Sequence, residues 1–206
     1  NIKVSLPKED AEDVVSEIQA SQASEEERWS FYKSLIREAF AKKQSVFWCL
    51  PNVTEIKNAQ NFIARGIEQY VIILHNKLSK KELLTAWKKA IENDHSVLII
   101  ATPMFLSLPR ENIKTFIIDK ENSSAYKSRV RPFLDFRRFA EDYARRRKVR
   151  LIFGDIVLRS ETIYRLGQNE ITPINPVKYR LYAEIKQVIA KLNKNSEDRI
   201  TVGSLS

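Results

Sequence analysis

Glycine is nearly missing from this chain of 206 residues: four are present, at Gly66, Gly154, Gly167 and Gly203, where ordinary usage of about 7% would give roughly 14. None precedes residue 66, so the first third of the chain holds no glycine-rich phosphate loop. A single cysteine, Cys49, excludes a disulfide framework and a thiolate zinc site. It also makes a reducing compartment, the cytoplasm, the expected home. Two histidines, His75 and His95, are too few for a histidine-based metal centre, and neither is spaced for a catalytic triad with a serine. Long hydrophobic runs are absent as well. The longest uncharged stretch, residues 96–109, is broken by Pro103 and is too short to cross a bilayer. The chain starts at Asn1 rather than Met, which suggests a piece of a longer protein.

What is abundant is positive charge. Lys and Arg number 35 against 26 Asp and Glu, a net +9, which favours a polyanionic partner such as nucleic acid. The charge is uneven. Residues 1–27 hold eight carboxylates against Lys3 and Lys8, whereas residues 127–150 hold ten cations against Asp135, Glu141 and Asp142.

Short runs of β-branched and aromatic residues, at 45–50, 70–74, 97–101, 115–118 and 150–153, read as buried parallel strands. Helical patterns alternate with them. Ser24-x-x-Glu27 and Ser79-x-x-Glu82 are capping boxes opening two helices. The first presents Tyr32, Ile36, Ala39 and Phe40 to the core, the second Leu83, Leu84, Trp87 and Ile91. Further helices are expected over 55–65, stopped by Gly66, over 134–148, and over 179–192. This alternation predicts an α/β fold: a three-layer parallel sheet with helices on both faces.

Several local motifs follow one another in order: His75-Asn76-Lys77-Leu78-Ser79 with Glu82 and Trp87, then Thr102 and Pro109, then Asp119-Lys120-Glu121-Asn122 followed by Ser123, Ser124, Tyr126 and Lys127. Their order resembles the primosomal protein N′ family of replication-restart DNA helicases. Residues 49–60 and the pair Gly154-Asp155 with Ser160-Glu161 extend it to roughly 22–168. The resemblance implies a RecA-like fold, the first motor domain of a superfamily 2 helicase, over residues 1–172. Residues 173–206 would then be a linker helix and the start of a second such domain.

In active relatives ATP and Mg²⁺ are the cofactors, and a glycine-lysine loop cradles the phosphates. The matching position here reads Ser24-Glu25-Glu26-Glu27-Arg28-Trp29, without glycine or lysine. Of the carboxylate motif, Asp119 stands where a metal-touching residue is expected, Lys120 replaces the catalytic carboxylate, and Glu121 is one residue out of phase. Asp155-Ile156-Val157 replaces the coupling Ser-Ala-Thr. These departures predict a motor that has lost ATP binding and hydrolysis, with no cofactor and no metal site. The acidic first turn would repel a triphosphate: two unit charges about 4 Å apart repel by roughly 4 kcal/mol at an effective dielectric near 20.

Nucleic acid remains the expected partner, as forked or single-stranded DNA, with primosome or replication proteins alongside and no membrane. The candidate contacts are Lys127, Arg129, Arg131, Arg137, Arg138, Arg145, Arg146, Arg147 and Lys148. Among the interspersed aromatics, Phe136, Phe139 and Tyr143 share helical spacing and read as core. His75 reads as structural and Cys49 as a small core residue. Two other readings stay open: an active ATP-dependent 3′-5′ helicase completed from outside this chain, and a structural domain without a nucleic-acid role.

Overall fold

The computed structural model describes residues 17–63 and 66–174. Seven strands form one sheet: β1 (Ile18–Gln22), β2 (Ser45–Cys49), β3 (Val71–Leu74), β4 (Leu98–Ala101), β5 (Ile113–Asp119), β6 (Arg150–Asp155) and β7 (Thr172–Pro173). Their spatial order is β3-β4-β2-β5-β6-β1-β7. Every pairing is parallel, so all strand starts lie along one rim of the sheet and all strand ends along the other.

Five helices connect the strands: α1 (Glu25–Ala41), α2 (Val53–Ile63), α3 (Lys80–Glu92), α4 (Phe136–Arg147) and α5 (Ser160–Gly167). Because the central strands are buried on both faces, alternate residues serve two cores. Val46, Trp48, Ile117 and Ile152 pack with the α1 and α2 side chains Tyr32, Ile36, Ile56 and Ile63. Phe47, Phe116, Ile118 and Leu151 pack on the opposite face with Ala90 of α3 and Ala140 and Ala144 of α4. Fully burying one such large apolar side chain contributes about 1.5–3 kcal/mol. Phe136, Phe139 and Tyr143 pack against this second core, as their spacing predicts.

Both capping boxes form. Ser24 Oγ accepts from Glu27 N, and Glu27 returns its carboxylate to Ser24 N; Ser79 and Glu82 do the same. The buried stripe of α3 differs from expectation. Leu84 is 57% exposed and Ile91 38%, and the inward face is instead Leu83, Ala86, Trp87 and Ala90. Strand β1 escapes the hydrophobic pattern because it buries Gln19 and Ser21 between Ile18 and Ala20. Arg150 Nε donates to Gln19 Oε1 at 2.6 Å, which gives that buried amide a partner. Helix α2 begins at Val53, two residues before the expected start, because Asn52 Oδ1 accepts from Glu55 N at 3.0 Å. Helix α5 and the short strand β7 are not marked by the sequence patterns. The helix expected over 179–192 and the end of the chain lie outside the described residues.

Scarce glycine has a backbone consequence. Lys43, Lys120, Lys148 and Asn169 all adopt positive φ, at 57°, 54°, 51° and 59°. Each such residue costs on the order of 1 kcal/mol relative to glycine. No helix among the described residues is long and apolar enough to cross a membrane.

Candidate functional site

The strand-end rim carries the positions singled out by sequence. Strand β1 ends at Gln22 and α1 begins at Glu25, so only Ala23 and Ser24 connect them. The positions matched to the phosphate loop, Ser24–Trp29, are thus the cap and first turns of the helix, as the capping box predicts. Arg28 stands at the lysine position of that motif. In the structure its side chain turns inward and is 2% exposed.

There it meets Asp119, the last residue of β5, whose side chain is fully buried. Arg28 Nε donates to Asp119 Oδ1 at 2.9 Å, Tyr32 Oη donates to the same oxygen at 3.1 Å, and Trp29 Nε1 donates to Oδ2 at 2.8 Å. Arg28 also donates to the Ala23 carbonyl at 2.7 Å. Below the pair, Tyr126 Oη donates to the backbone carbonyls of Asp119 at 2.6 Å and Cys49 at 3.1 Å. Burial pushes the Asp119 carboxyl above its ordinary value, while Arg28, Trp29 and Tyr32 pull it back. Burial opposes the Arg28 charge too, but Asp119 more than offsets this and holds the guanidinium above its usual value. Arg28 and Trp29 can only donate, so the pair is ionised. Asp119 thus spends both carboxylate oxygens on donors from α1.

At the mouth of this pocket Lys120 Nζ bridges Glu25 at 2.7 Å and Glu55 at 2.6 Å. Burial lowers the Lys120 ammonium and the two carboxylates more than restore it. Glu26 and Glu27, also on the first turn of α1, are exposed to solvent. Three carboxylates on the first turn of α1, Glu25, Glu26 and Glu27, oppose the approach of an anion to this helix start. Glu121 faces away from this pocket. It is fully buried, accepts from Arg159 N at 2.8 Å and Thr162 Oγ1 at 3.1 Å, and so anchors the start of α5. Asp155 accepts from Asn122 N at 2.9 Å and from Ile156 N at 2.7 Å. Among the described residues no group of three or more His, Cys, Asp or Glu is placed to hold a metal ion. His75 Nδ1 accepts from Lys77 N at 3.2 Å, and Cys49 is buried, with its thiol pushed up by burial.

The basic stretch divides. Lys127 bridges antiparallel to Asp135, and Ser128 N donates to Leu134 O at 2.8 Å. This closes a hairpin whose tip exposes Arg129, Arg131, Val130 and Phe133, the last two each 72% exposed. Phe133 is the aromatic of the basic stretch that faces solvent; Tyr126 is fully buried. Arg138 is exposed on the first turn of α4. Arg137 departs from its expected role. It is 2% exposed, paired with Asp135 at 2.8 Å, and donates to the Glu121 carbonyl at 2.6 Å. Arg145, Arg146, Arg147 and Lys148 lie at the far end of α4, toward the strand-start rim. Arg145 pairs with Glu141 at 2.9 Å, and Arg147 lies over the Tyr143 ring.

A cleft of about 540 Å³ beside the hairpin is lined by the start of α2, Asn76, Lys77, Thr102, Pro103 and Phe136. It sits beyond the ends of parallel strands, where ligands of open α/β sheets bind. No side chain lining it was singled out by charge, because Lys77 and the α2 start converge only in three dimensions.

No known protein-family profile matches the chain. It is similar to replication restart protein PriA of Buchnera aphidicola, 22% identical over 173 residues, which is 84% of this chain and 24% of that protein. It is also similar to PriA of Chlamydia trachomatis, 33% identical over 107 residues, which is 52% of this chain and 14% of that protein. The chain therefore spans a quarter or less of these curated relatives. Among solved structures, the C-terminal domain of Saccharomyces cerevisiae Dbp5 superposes with a TM-score of 0.56 at 12% identity, covering 77% of this chain and 89% of that one. RecG bound to a three-way DNA junction gives 0.51 at 13% identity, covering 74% and 20%. The fold is a RecA-like α/β fold with a wholly parallel sheet, shared with the helicase domains of these solved structures.

Proposed function

We propose that the chain is a DNA-binding module of the replication-restart kind, built on the first RecA-like domain of a helicase whose nucleotide pocket is closed. The observation that carries this reading is the buried Arg28–Asp119 pair at 2.9 Å. A guanidinium occupies the space where a motor would hold its metal, and the helix that would receive phosphate caps itself with Ser24 and Glu27. Similarity to PriA supports replication restart as the setting, with DNA and replication proteins as partners in the cytoplasm.

In this reading the hairpin over 127–135 takes single-stranded DNA. Lys127, Arg129 and Arg131 neutralise phosphates while Phe133 offers a face for one base, the combination that binds single strands without reading sequence. Arg138 extends the same surface. The RecG neighbour is bound to a three-way junction, which makes forked DNA the natural probe.

Calorimetry with Mg²⁺-ATP tests the closed pocket, and no binding tighter than about 100 μM is expected. Fluorescence anisotropy with forked DNA tests the partner. Binding should weaken steeply between 50 and 200 mM salt, as counterion release requires. Tight ATP binding, or DNA affinity indifferent to salt, would overturn the proposal.

A further inference from the structure

Among the described residues, three of the four non-glycine residues in the left-handed backbone region are lysines. One of them, Lys120, has an evident use between Glu25 and Glu55. The other two, Lys43 and Lys148, occupy equivalent places. Each follows a long helix, α1 or α4, and each lies two residues before a strand, β2 or β6. Between those strands runs β5, whose second residue, Lys114, is the exposed position of an otherwise buried strand. Register aligns the three starts: Ser45 pairs with Ile113, and Thr115 pairs with Arg150. Neighbouring strands are about 4.8 Å apart, so Lys43, Lys114 and Lys148 spring from a rigid row about 10 Å wide. Arg146, on the last turn of α4, is exposed beside it.

These four cations form no ion pair among the described residues. Their basic neighbours are engaged: Lys42 with Glu38, Arg145 with Glu141, Arg150 with Gln19, and Arg147 over Tyr143. The exposed carboxylates of this rim that form no ion pair among the described residues are Glu111, beside the row, and Glu68, Glu92 and Asp94, which lie toward the starts of β3 and β4. Lysine at 43 and 148 gains nothing for the backbone, where glycine would be less strained. Its charge is the property left to account for it.

We propose that the strand-start rim is a second nucleic-acid surface, on the opposite side of the sheet from the hairpin, and that it takes the phosphate backbone of duplex DNA. The exposed large apolar side chain at this rim, Ile91 at the end of α3, is aliphatic, and no large exposed aromatic lies there among the described residues, so it offers bases no ring to stack on, whereas the hairpin does. A row of cations alone fits a duplex, whose bases are already stacked and whose backbone is the accessible part. With one surface at each rim, a single domain holds a single strand and a duplex arm together. The proposal rests on the DNA-binding reading above and goes beyond it.

The test uses the whole 206-residue chain, a biotinylated single strand on beads and a fluorescent duplex in solution. The parent protein is expected to capture the duplex on the beads. The fourfold variant Lys43→Gln, Lys114→Gln, Arg146→Gln, Lys148→Gln should keep single-strand binding and lose duplex capture, with duplex affinity down about tenfold or more and a salt slope shallower by up to about 3–4 units. A second variant, Lys43→Gly with Lys148→Gly, should melt at or above the parent temperature while still weakening duplex binding. Duplex capture by the fourfold variant equal to the parent would overturn the second surface and leave the hairpin reading standing. So would a lower melting temperature for the glycine variant with unchanged duplex affinity. A parent that binds neither DNA overturns both.

Discussion

Arg28 and Asp119 lie 91 residues apart in sequence and 2.9 Å apart in space, both sealed from solvent, with Trp29 and Tyr32 donating to the same carboxylate. The first turn of α1 is thereby fastened to the end of β5. The side chains that stand in place of a phosphate loop hold the sheet and helix layers together.

Breaking this pair from either side should be costly. Asp119→Ala leaves a buried guanidinium unpaired, and Arg28→Ala leaves a buried carboxylate; each is expected to lower stability by about 3–5 kcal/mol in urea denaturation. Arg28→Met combined with Asp119→Leu should recover most of that loss. A single substitution costing under about 1 kcal/mol would show that the pair is not structural.

Gly154 is required by the same cluster. A Cβ built there would stand 1.8 Å from Tyr32 Oη and 3.0 Å from Asp119 Oδ1. Gly154→Ala should destabilise by about 1–3 kcal/mol, as overpacking does. Adding Tyr32→Phe removes the clashing hydroxyl and should return part of the loss in the same denaturation experiment.

Acid should loosen the contact between α4 and α5. Glu141 accepts from Arg165 at 2.6 and 2.9 Å. Burial raises this carboxyl, but Arg165 and Arg145 outweigh it and hold it below its ordinary 4.5. A depressed carboxyl contributes stability that is present above its unfolded value and is lost as pH falls through the folded one. The melting temperature should therefore drop below about pH 4.5, and Glu141→Gln should flatten that part of the profile. An unchanged profile in the variant would assign the acid response to other groups.

Phe133→Ala should weaken single-strand binding by about 1–3 kcal/mol, the worth of one stacked base. Its 72% exposure means little packing is lost, so the melting temperature should hold. Duplex affinity, measured in parallel, should not change.

Both capping boxes and the core face of α4 were legible in the sequence because each depends on residues within a turn or two of one another. The strand β1 was not, since it buries Gln19 and Ser21 and shows no apolar run. The inward turn of Arg28 is not legible because its partner is 91 residues away; nothing local marks it. Arg137 was grouped with the surface cations for a similar reason. Its burial depends on Asp135 and on the Glu121 carbonyl, which meet only once α4 is packed. Phe133 could be told from Phe136, Phe139 and Tyr143 only by its position ahead of the helix, on the hairpin tip.

The Arg28–Asp119 contact also constrains how this chain can change. Either member altered alone strands a charge in the interior, so substitution at one position is tolerated only when the other changes with it.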